Sequence, residues 1–469
     1  MKKSPQKINS TSAVEKPVHK TVVFIIVALS LLMTTIDTTI VATALETLQK
    51  DLNTTVNWVG WTLTAYSFGF VLMLPLSAKL SQQYGPKRVF MASVITFTII
   101  SFLCGLANHI YVLIALRVFQ AIGAAGITPS VTAIIVDHFG NSRDRAVSLF
   151  GSIFPIGVML GPIFGGLIVT YWDWSWIFFV NVPFGIIAIL MGIYFIPKDL
   201  SEKIKPKEKL DKKGVVWLAI GILASMFAAT YLGEENAKLF SWLFIGLIVF
   251  TFIGFYKFFK HINKEKDPFI KPKFIYGKNF GVVNFINVLF GGTTMGVIAL
   301  VPLYAANKYG LNALNSGTLL IAQGAASVIL STIMTMLLRK TGYRLPLVVG
   351  CSVIMIGILL LAVNPLFGIS PYFWLMGSTF LIGIGMGTIS PPARNAGLQL
   401  APEESATIAA LRSLGLQLGS IVSIGVVTAI IAASENPGII QAHVYLGIAA
   451  IFLVCIPSIR FIPEHKGSW

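Results

Sequence analysis

The sequence predicts an all-α membrane protein with fourteen transmembrane helices, arranged as two six-helix bundles with two inserted helices between them. Of its 469 residues, 55% are hydrophobic and only 12% are charged, whereas a typical soluble domain has ~25% charged residues. Apolar stretches of about 20 residues, the length that crosses a bilayer as a helix, recur along the whole chain. Parts of the first six stretches are also repeated in the last six.

Each apolar segment is a continuous run rather than an alternating pattern, which argues against an outer-membrane β-barrel. The fourteen predicted spans are 21–45, 58–78, 89–107, 109–134, 146–170, 174–197, 214–232, 239–259, 279–305, 314–338, 345–364, 371–393, 407–433 and 442–462. Because the number of spans is even, both termini are expected on the same side of the membrane.

The basic residues predict which side that is. With the N-terminus inside, only Lys50, Lys238 and Lys308 fall in outer loops, and Arg117 lies well within a span. The rest of the 35 Lys and Arg residues lie in inner loops, in tails or at inner ends of spans. This bias predicts cytoplasmic termini. The long basic inner loops 196–213 and 257–278 are topology signals and could also contact anionic lipid head groups.

Composition excludes several other classes of protein. The net charge of +16 is explained by the inner loops, so no nucleic-acid partner is expected. Residues 1–20 are polar and are interpreted as a cytoplasmic tail rather than a signal peptide. The three cysteines lie inside apolar segments, and the histidines form no metal-binding cluster. No P-loop sequence is present, so ATP drive is not supported. We predict no enzyme activity, no metal and no cofactor, and we expect a proton gradient as the source of energy.

An internal repeat predicts the domain organisation. Gly123, Ile127, Thr128 and Pro129 of span four correspond to Gly385, Ile389, Ser390 and Pro391 of span twelve, and Gly85 after span two corresponds to Gly342. We therefore predict a tail at 1–20, an N-terminal six-helix bundle at 21–197, basic loops with two inserted helices at 198–278, a C-terminal bundle at 279–462 and a tail at 463–469. Transporters built from such repeats bind substrate near the bilayer midplane, between the repeats.

Asp37 is the only carboxylate placed well inside a predicted span, where a charge costs ~2.5–3.5 kcal/mol on insertion scales and usually has a function. Span one runs outward, and helical rise places Asp37 ~24 Å from its inner end. Span four runs inward, and Arg117 lies ~12 Å below the outer face. In a core of ~30 Å the two residues therefore lie within about 6 Å in depth. We predict that Asp37 carries a proton and that Arg117 changes its proton affinity between states. A static ion pair that only secures packing is the alternative.

Several motifs resemble the major facilitator superfamily, specifically its 14-helix drug:proton antiporters. Ile36-Asp37-Thr38-Thr39 in span one resembles the signature around the embedded acid, and Leu116-Arg117-Val118-Phe119-Gln120 resembles the arginine motif of span four. In span five, Gly157, Gly161, Pro162, Gly165 and Gly166 match the antiporter motif. Their small side chains allow close helix approach, and Pro162 removes a backbone donor. We favour this structural role over direct substrate contact.

The loop after span two is a degraded match to the cytoplasmic gating motif of the family. Gln82 stands where the resemblance implies an Asp, followed by Gly85, Lys87 and Arg88. A neutral amide bonds more weakly than an ion, so we expect a weaker latch on the cytoplasmic side.

Other polar and aromatic residues are weaker candidates. Arg394 and Arg412 are expected to anchor the inner ends of their spans, with a substrate role as the alternative, and Asp144 is expected in a solvated loop or a gate. Aromatic faces attract cations and Met adapts to varied shapes, although ordinary helix packing is the alternative at each position. The predicted cavity residues are Trp61, Tyr66, Phe154, Asn284, Asn287, Met295 and Gln323.

The resemblance implies a monomeric, proton-coupled antiporter of a bacterial cytoplasmic membrane that exports amphipathic, cationic or zwitterionic toxic compounds. A narrow-substrate exporter, for example of tetracycline, a fatty acid or a metabolite, and a proton-coupled uptake carrier are the alternatives. A transport-dead sensor is disfavoured because the sequence shows no sizeable soluble output domain.

Overall fold

The described structure is helical throughout. The computed structural model describes residues 19–54, 56–199, 211–232, 238, 240–311, 313–432 and 434–464. Most of the two predicted tails and of the loop 196–213, and the side chain of Pro162, lie outside the described residues. Within them, fourteen helices are long and apolar enough to cross a membrane, which confirms the predicted fold class.

These membrane helices are numbered here in chain order, and their bounds lie within a few residues of most predicted spans. The first seven are α1 (Lys20–Thr43), α2 (Val56–Tyr84), α3 (Pro86–Gly105), α4 (Ile110–His138), α5 (Arg143–Tyr171), α6 (Asn181–Phe195) and α7 (Lys212–Leu232). The others are α8 (Trp242–Ile262), α9 (Phe280–Ala299), α10 (Ala313–Thr341), α11 (Arg344–Ala362), α12 (Pro371–Leu400), α13 (Ser405–Ala432) and α14 (Pro437–Cys455). Short helices at Leu45–Asp51, Trp176–Phe179, Pro272–Tyr276 and Val301–Tyr309 lie between them.

Buried apolar side chains form separate cores in the two halves of the chain. One core is made by residues between 283 and 462, and two others are made mainly by residues between 23 and 196. Helix α7 packs on both halves, because Leu218 and Ile222 share a core with Val71 of α2 and Leu414 of α13. The exact domain boundaries and the orientation of the termini remain predictions.

The repeat around Gly85 and Gly342 is visible in the backbone. Both glycines have positive φ, 98° and 71°, and each precedes the start of a membrane helix. Asp199 accepts hydrogen bonds from the backbone N–H groups of Lys87 (2.7 Å) and Arg88 (3.3 Å) at the start of α3. Glu464 accepts the equivalent bonds from Tyr343 and Arg344 at the start of α11. Each half therefore closes its gating loop with a carboxylate that follows its own sixth helix.

Candidate functional site

Asp37 lies fully buried in α1 and is surrounded by hydrogen-bond donors. Its Oδ2 accepts from Arg117 Nη1 at 2.7 Å, and both side chains have 0% exposure. Its Oδ1 accepts from Gln120 Nε2 and from Asn181 Nδ2, each at 2.9 Å. The carboxylate therefore has an ionic partner and two neutral donors, which is what a buried charge needs in order to be tolerated.

Four helices position this group. Asp37 comes from α1, while Arg117 and Gln120 are three residues apart on one face of α4 and so lie side by side. Asn181 is the first residue of α6. Gln120 also donates to Ser101 Oγ of α3 at 2.7 Å and accepts from Arg117, which links the pair to a third helix. The structure thus brings together Asp37 and Arg117, as the depth estimate allows.

Arg117 connects the acid to a cavity. Its guanidinium lies 4.2 Å from the ring centroid of Tyr66 and 5.5 Å from that of Phe178, within the range of cation–π attraction. Its Nε and Nη2 atoms are buried and make no hydrogen bond to the described protein. Arg117 and Tyr66 both line the large cavity described next. A change in the ion pair therefore changes the charge at the cavity wall.

A cavity of about 350 Å³ lies between the two halves of the molecule, within the usual size range of small-molecule sites. Helices α1, α2, α4 and α5 form one wall, and α9, α10, α12 and α13 form the other. Its lining mixes hydroxyl, amide, aromatic and Met side chains. Among them are Thr34, Thr38, Phe70, Phe150, Ser327, Ser331, Met386, Arg394, Arg412 and Gln417.

Four of the seven predicted cavity residues line this space: Tyr66, Phe154, Asn287 and Met295. The other three are not among the residues that line it, and their role stays a prediction. Trp61 packs on Phe227 of α7, with ring centroids 5.0 Å apart. Asn284 donates to the backbone carbonyls of Phe274 and Ile275.

Gln323 is the third residue that is absent from the lining. Its side chain is buried, and its backbone carbonyl lies so close to Gly383 of α12 that a Cβ there would clash with it. Residue type suggested a lining role for these three. Gln323 lies on the same face of α10 as the lining residues Ser327 and Ser331, so its position along the helix, and not its face, separates it from this space.

Two arginines line the cavity contrary to the expected anchoring role. Arg394 and Arg412 both border the central space, and the Nε atom of each is buried without a hydrogen bond to the described protein. Sequence reasoning also missed Gln120 as a ligand of Asp37, although its spacing from Arg117 could have indicated it. Asn181 carried no comparable signal, because it follows a loop and starts a helix.

The glycines of the antiporter motif face α1. A Cβ at Gly157, Gly161 or Gly165 would overlap the hydroxyl of Thr35, Thr39 or Thr43, respectively. Gly166 is different, since a Cβ there would meet no atom within 4 Å. These contacts place three of the motif glycines in helix packing and away from the cavity.

Polar contacts join the two halves at the end predicted to face the cytoplasm. Gln82 donates to Glu404 Oε2 at 2.7 Å and to Thr407 Oγ1 at 2.6 Å. Asn395 donates to Ser148 at 2.8 Å. Gln82 therefore connects α2 to the start of α13, while Gly85, Lys87 and Arg88 contact Asp199 within the first half.

Asp144 adds to this closure instead of lying in a solvated loop. It is 4% exposed and accepts from Gln399 of α12 at 3.3 Å. The solvated-loop interpretation is therefore wrong for Asp144, and the gate stays a prediction.

Comparison with known proteins identifies transporters that are similar to this chain. The sequence profile of the Major Facilitator Superfamily matches residues 27–424. Multidrug resistance protein 3 of Bacillus subtilis is 30% identical over 403 residues, covering 83% of this chain and 76% of that protein. Riboflavin transporter RibZ of Clostridioides difficile is 28% identical, with 86% and 87% covered. The crystal structure of the human organic anion transporter MFSD10 (TETRAN) superposes with a TM-score of 0.68 at 15% identity, covering 94% of this chain and 98% of that one.

Proposed function

This chain belongs to the major facilitator superfamily, and on that basis we propose that it is a proton-coupled antiporter that exports amphipathic drugs or toxic compounds. It would act as a monomer in a bacterial cytoplasmic membrane, since the cavity is formed within one chain. The relative named multidrug resistance protein supports drug export. The same match supports a transporter rather than an enzyme.

The observation that carries the proposal is the buried Asp37–Arg117 pair beside the cavity. Protonation of Asp37 removes the negative charge that Arg117 neutralises, so the 2.7 Å ion pair weakens. The Arg117 guanidinium is then a buried charge without a counter-ion, which favours its movement towards the cavity. Protonation of Asp37 thereby changes the charge that the cavity presents to a substrate. Exchange requires that this change lower the affinity for the substrate, so that the proton and the substrate are not bound together.

Alternating access follows from the two-bundle architecture. The contacts of Gln82, Asn395 and Asp144 hold one end closed, and the cavity lies between the bundles. Rocking of the bundles would break these contacts and open the cavity to the other side.

The proposal is tested with everted membrane vesicles that contain a trapped pH-sensitive dye. An inside-acid gradient is imposed, and a panel of cationic, zwitterionic and anionic amphipathic drugs is added. We expect drug-triggered proton efflux from wild type and none from Asp37→Asn, which keeps the shape of the side chain but cannot bind and release a proton. Asp51→Asn is the matched control, because Asp51 is an exposed carboxylate beyond the outer end of α1.

Efflux that survives in Asp37→Asn would show that another group carries the proton. An absence of efflux with every compound would contradict drug antiport. The second candidate, a narrow-substrate exporter, would then be favoured, and the match to a protein named riboflavin transporter is the observation that supports it.

A further inference from the structure

The charged lining of the central cavity has one sign. Among the described residues it contains Arg117, Arg394 and Arg412 and no Asp or Glu. Arg117 is neutralised by Asp37. The charge that remains is the pair Arg394 and Arg412, which the expected preference for cationic compounds does not explain.

These two arginines reach the same place from neighbouring helices. Arg394 lies within two turns of the end of α12 and Arg412 about two turns after the start of α13, so both lie at a similar distance from the predicted cytoplasmic end. They also border a small void of about 10 Å³ that adjoins the cavity. Their guanidinium groups therefore flank a common space.

Neither guanidinium has an acidic partner within the described part of the chain. Arg394 lies over the ring of Phe150, 5.4 Å from its centroid, and no hydrogen bond to either arginine is formed by a described residue. Two buried acids at the predicted cytoplasmic end have other partners. Glu404 accepts from Gln82 and lies 3.9 Å from Lys271, and Asp144 accepts from Gln399 and Arg143.

Gly151 of α5 makes room for the Arg394 guanidinium. A Cβ at Gly151 would come within 3.1 Å of Arg394 Nε and 3.2 Å of Nη2. The arginine therefore fits against the bare backbone of the facing half, where a larger residue would displace it. A position shaped in this way supports a defined site rather than a snorkelling anchor, which would extend towards the membrane surface.

We propose that Arg394 and Arg412 form a binding subsite for an oxyanion, so that the transported compounds are amphipathic organic anions or zwitterions. Two guanidinium groups that lack an internal counter-ion favour a carboxylate or phosphate, which accepts several charge-assisted hydrogen bonds from them. Phe150, Phe154 and Tyr66 border the same cavity and contact the apolar body of the ligand. This inference rests on the proposed export function and specifies its substrate class.

The test compares two dyes with the same xanthene ring system. Fluorescein has a free carboxylate and is an anion at neutral pH, whereas the methyl ester of rhodamine is a cation. Binding of each to the purified protein in a neutral detergent is measured by fluorescence anisotropy. We expect wild type to bind fluorescein more tightly than the ester.

In Arg394→Gln/Arg412→Gln, affinity for fluorescein should fall about tenfold or more, as expected when charged hydrogen bonds are lost, while affinity for the ester is unchanged or improved. Arg460→Gln, which removes an exposed arginine, should bind both dyes as wild type does. Size-exclusion profiles show whether each variant is folded.

The inference is overturned if wild type does not bind fluorescein, if it does not prefer it to the ester, or if the folded double variant loses both dyes equally. Binding needs no proton gradient, so this test is independent of the vesicle assay. Fluorescein binding that depends on the arginines, together with a failed proton-efflux assay, would retain the subsite and reject antiport. The reverse pair of results would retain antiport and reject the subsite.

Discussion

Two pairs of charged side chains beside one cavity have different surroundings. Asp37 and Arg117 neutralise each other, and Gln120 and Asn181 complete the carboxylate's hydrogen bonds. Arg394 and Arg412 have no such acidic partner in the described chain. Asp37 and Arg117 are fully buried and compensate each other, whereas Arg394 and Arg412 are half-buried and border open space that the proposed oxyanion would fill.

Asp211 provides a residue-scale prediction about acid stability. It precedes α7 and accepts from the backbone N–H of Gly214 at 2.8 Å, from His261 Nε2 at 2.7 Å and from the N–H of Phe269 at 3.2 Å. Burial acts to raise the pKa of Asp211, but these hydrogen bonds outweigh it, so that its pKa lies below the usual 3.8. The contribution to stability is therefore present above that usual pKa and is lost as pH falls through the lowered value.

We expect Asp211→Ala to lower the free energy of unfolding by about 1 kcal/mol near neutral pH, the typical effect of removing a helix N-cap. The difference from wild type should shrink below about pH 3.8. Thermal unfolding of the detergent-purified protein across a pH series measures both effects. Asp267→Ala, at an exposed position nearby, is the control. A difference that grows with acidity would contradict the assignment.

At the scale of elements, α1 and α5 interlock through threonines and glycines. Thr39 Oγ1 is held against its own helix by the carbonyls of Thr35 (3.1 Å) and Ile36 (3.2 Å), and it occupies the space that a side chain at Gly161 would need. The threonine cannot easily move aside, since its hydroxyl is bonded within α1. This contact fixes the helix that carries Asp37.

Substitution of Gly161 by Ala should therefore disturb both stability and coupling. We expect a loss of about 1–3 kcal/mol, the usual cost of overpacking, together with reduced drug-triggered proton efflux. Thermal unfolding and the vesicle assay measure the two effects. Gly166→Ala is a matched control from the same motif, because a Cβ there meets nothing within 4 Å. Equal behaviour of the two variants would show that the packing is not what the motif provides.

A second element departs from simple helical expectation. Residues Asn287–Gly292 form a π-helical segment within α9, a distortion that is frequent at functional sites. Asn287 begins this segment and lines the cavity, while a Cβ at Gly292 would clash with Gly419 of α13. The π-helical turn thus places the Asn287 amide in the cavity lining and, at its other end, lets α9 pack closely on α13.

At the scale of the whole molecule, a neutral latch holds the closed end. Glu404 is 6% exposed and accepts from Gln82 at 2.7 Å. The family resemblance implies an Asp at position 82, but the partner here is already acidic. The amide is therefore suited to this partner, because a second carboxylate would repel Glu404.

We predict that Gln82→Asp opens the cytoplasmic end instead of tightening it. Two like charges at about 4 Å repel by up to ~4 kcal/mol near a protein surface. Lys271, 3.9 Å from Glu404, and the buried Lys79, which lines the same small pocket, offset part of this repulsion. Labelling of Ser327→Cys, a cavity position, by an impermeant maleimide in everted vesicles should become faster. The three native cysteines are first replaced.

Gln82→Asn, which keeps a neutral donor, is the control, and adding Glu404→Gln to Gln82→Asp should restore slow labelling. Slow labelling of Gln82→Asp alone would mean that Lys271 or another group neutralises the new charge, and the latch would then depend on ion pairing.

The membrane class and the fourteen helices follow from the sequence alone, and the sequence also predicts that Asp37 and Arg117 lie at a similar depth. Length and hydropathy are local properties, and a charge within an apolar run is costly wherever the helix packs. Depth along two antiparallel helices is also fixed by residue counting. The repeated Gly85 and Gly342 were visible for the same reason, since positive φ is a demand of the local backbone.

Only the tertiary structure decided which side chains share a space. Asn181 and Gln120 reach Asp37, Asp199 and Glu464 cap distant helices, and Trp61, Asn284 and Gln323 are not among the residues that line the large cavity. These outcomes depend on which helices meet and at what height along each helix they do so. Arg394 and Arg412 show the reason most clearly, because an arginine near a helix end reaches either lipid head groups or a cavity, and packing alone selects between them.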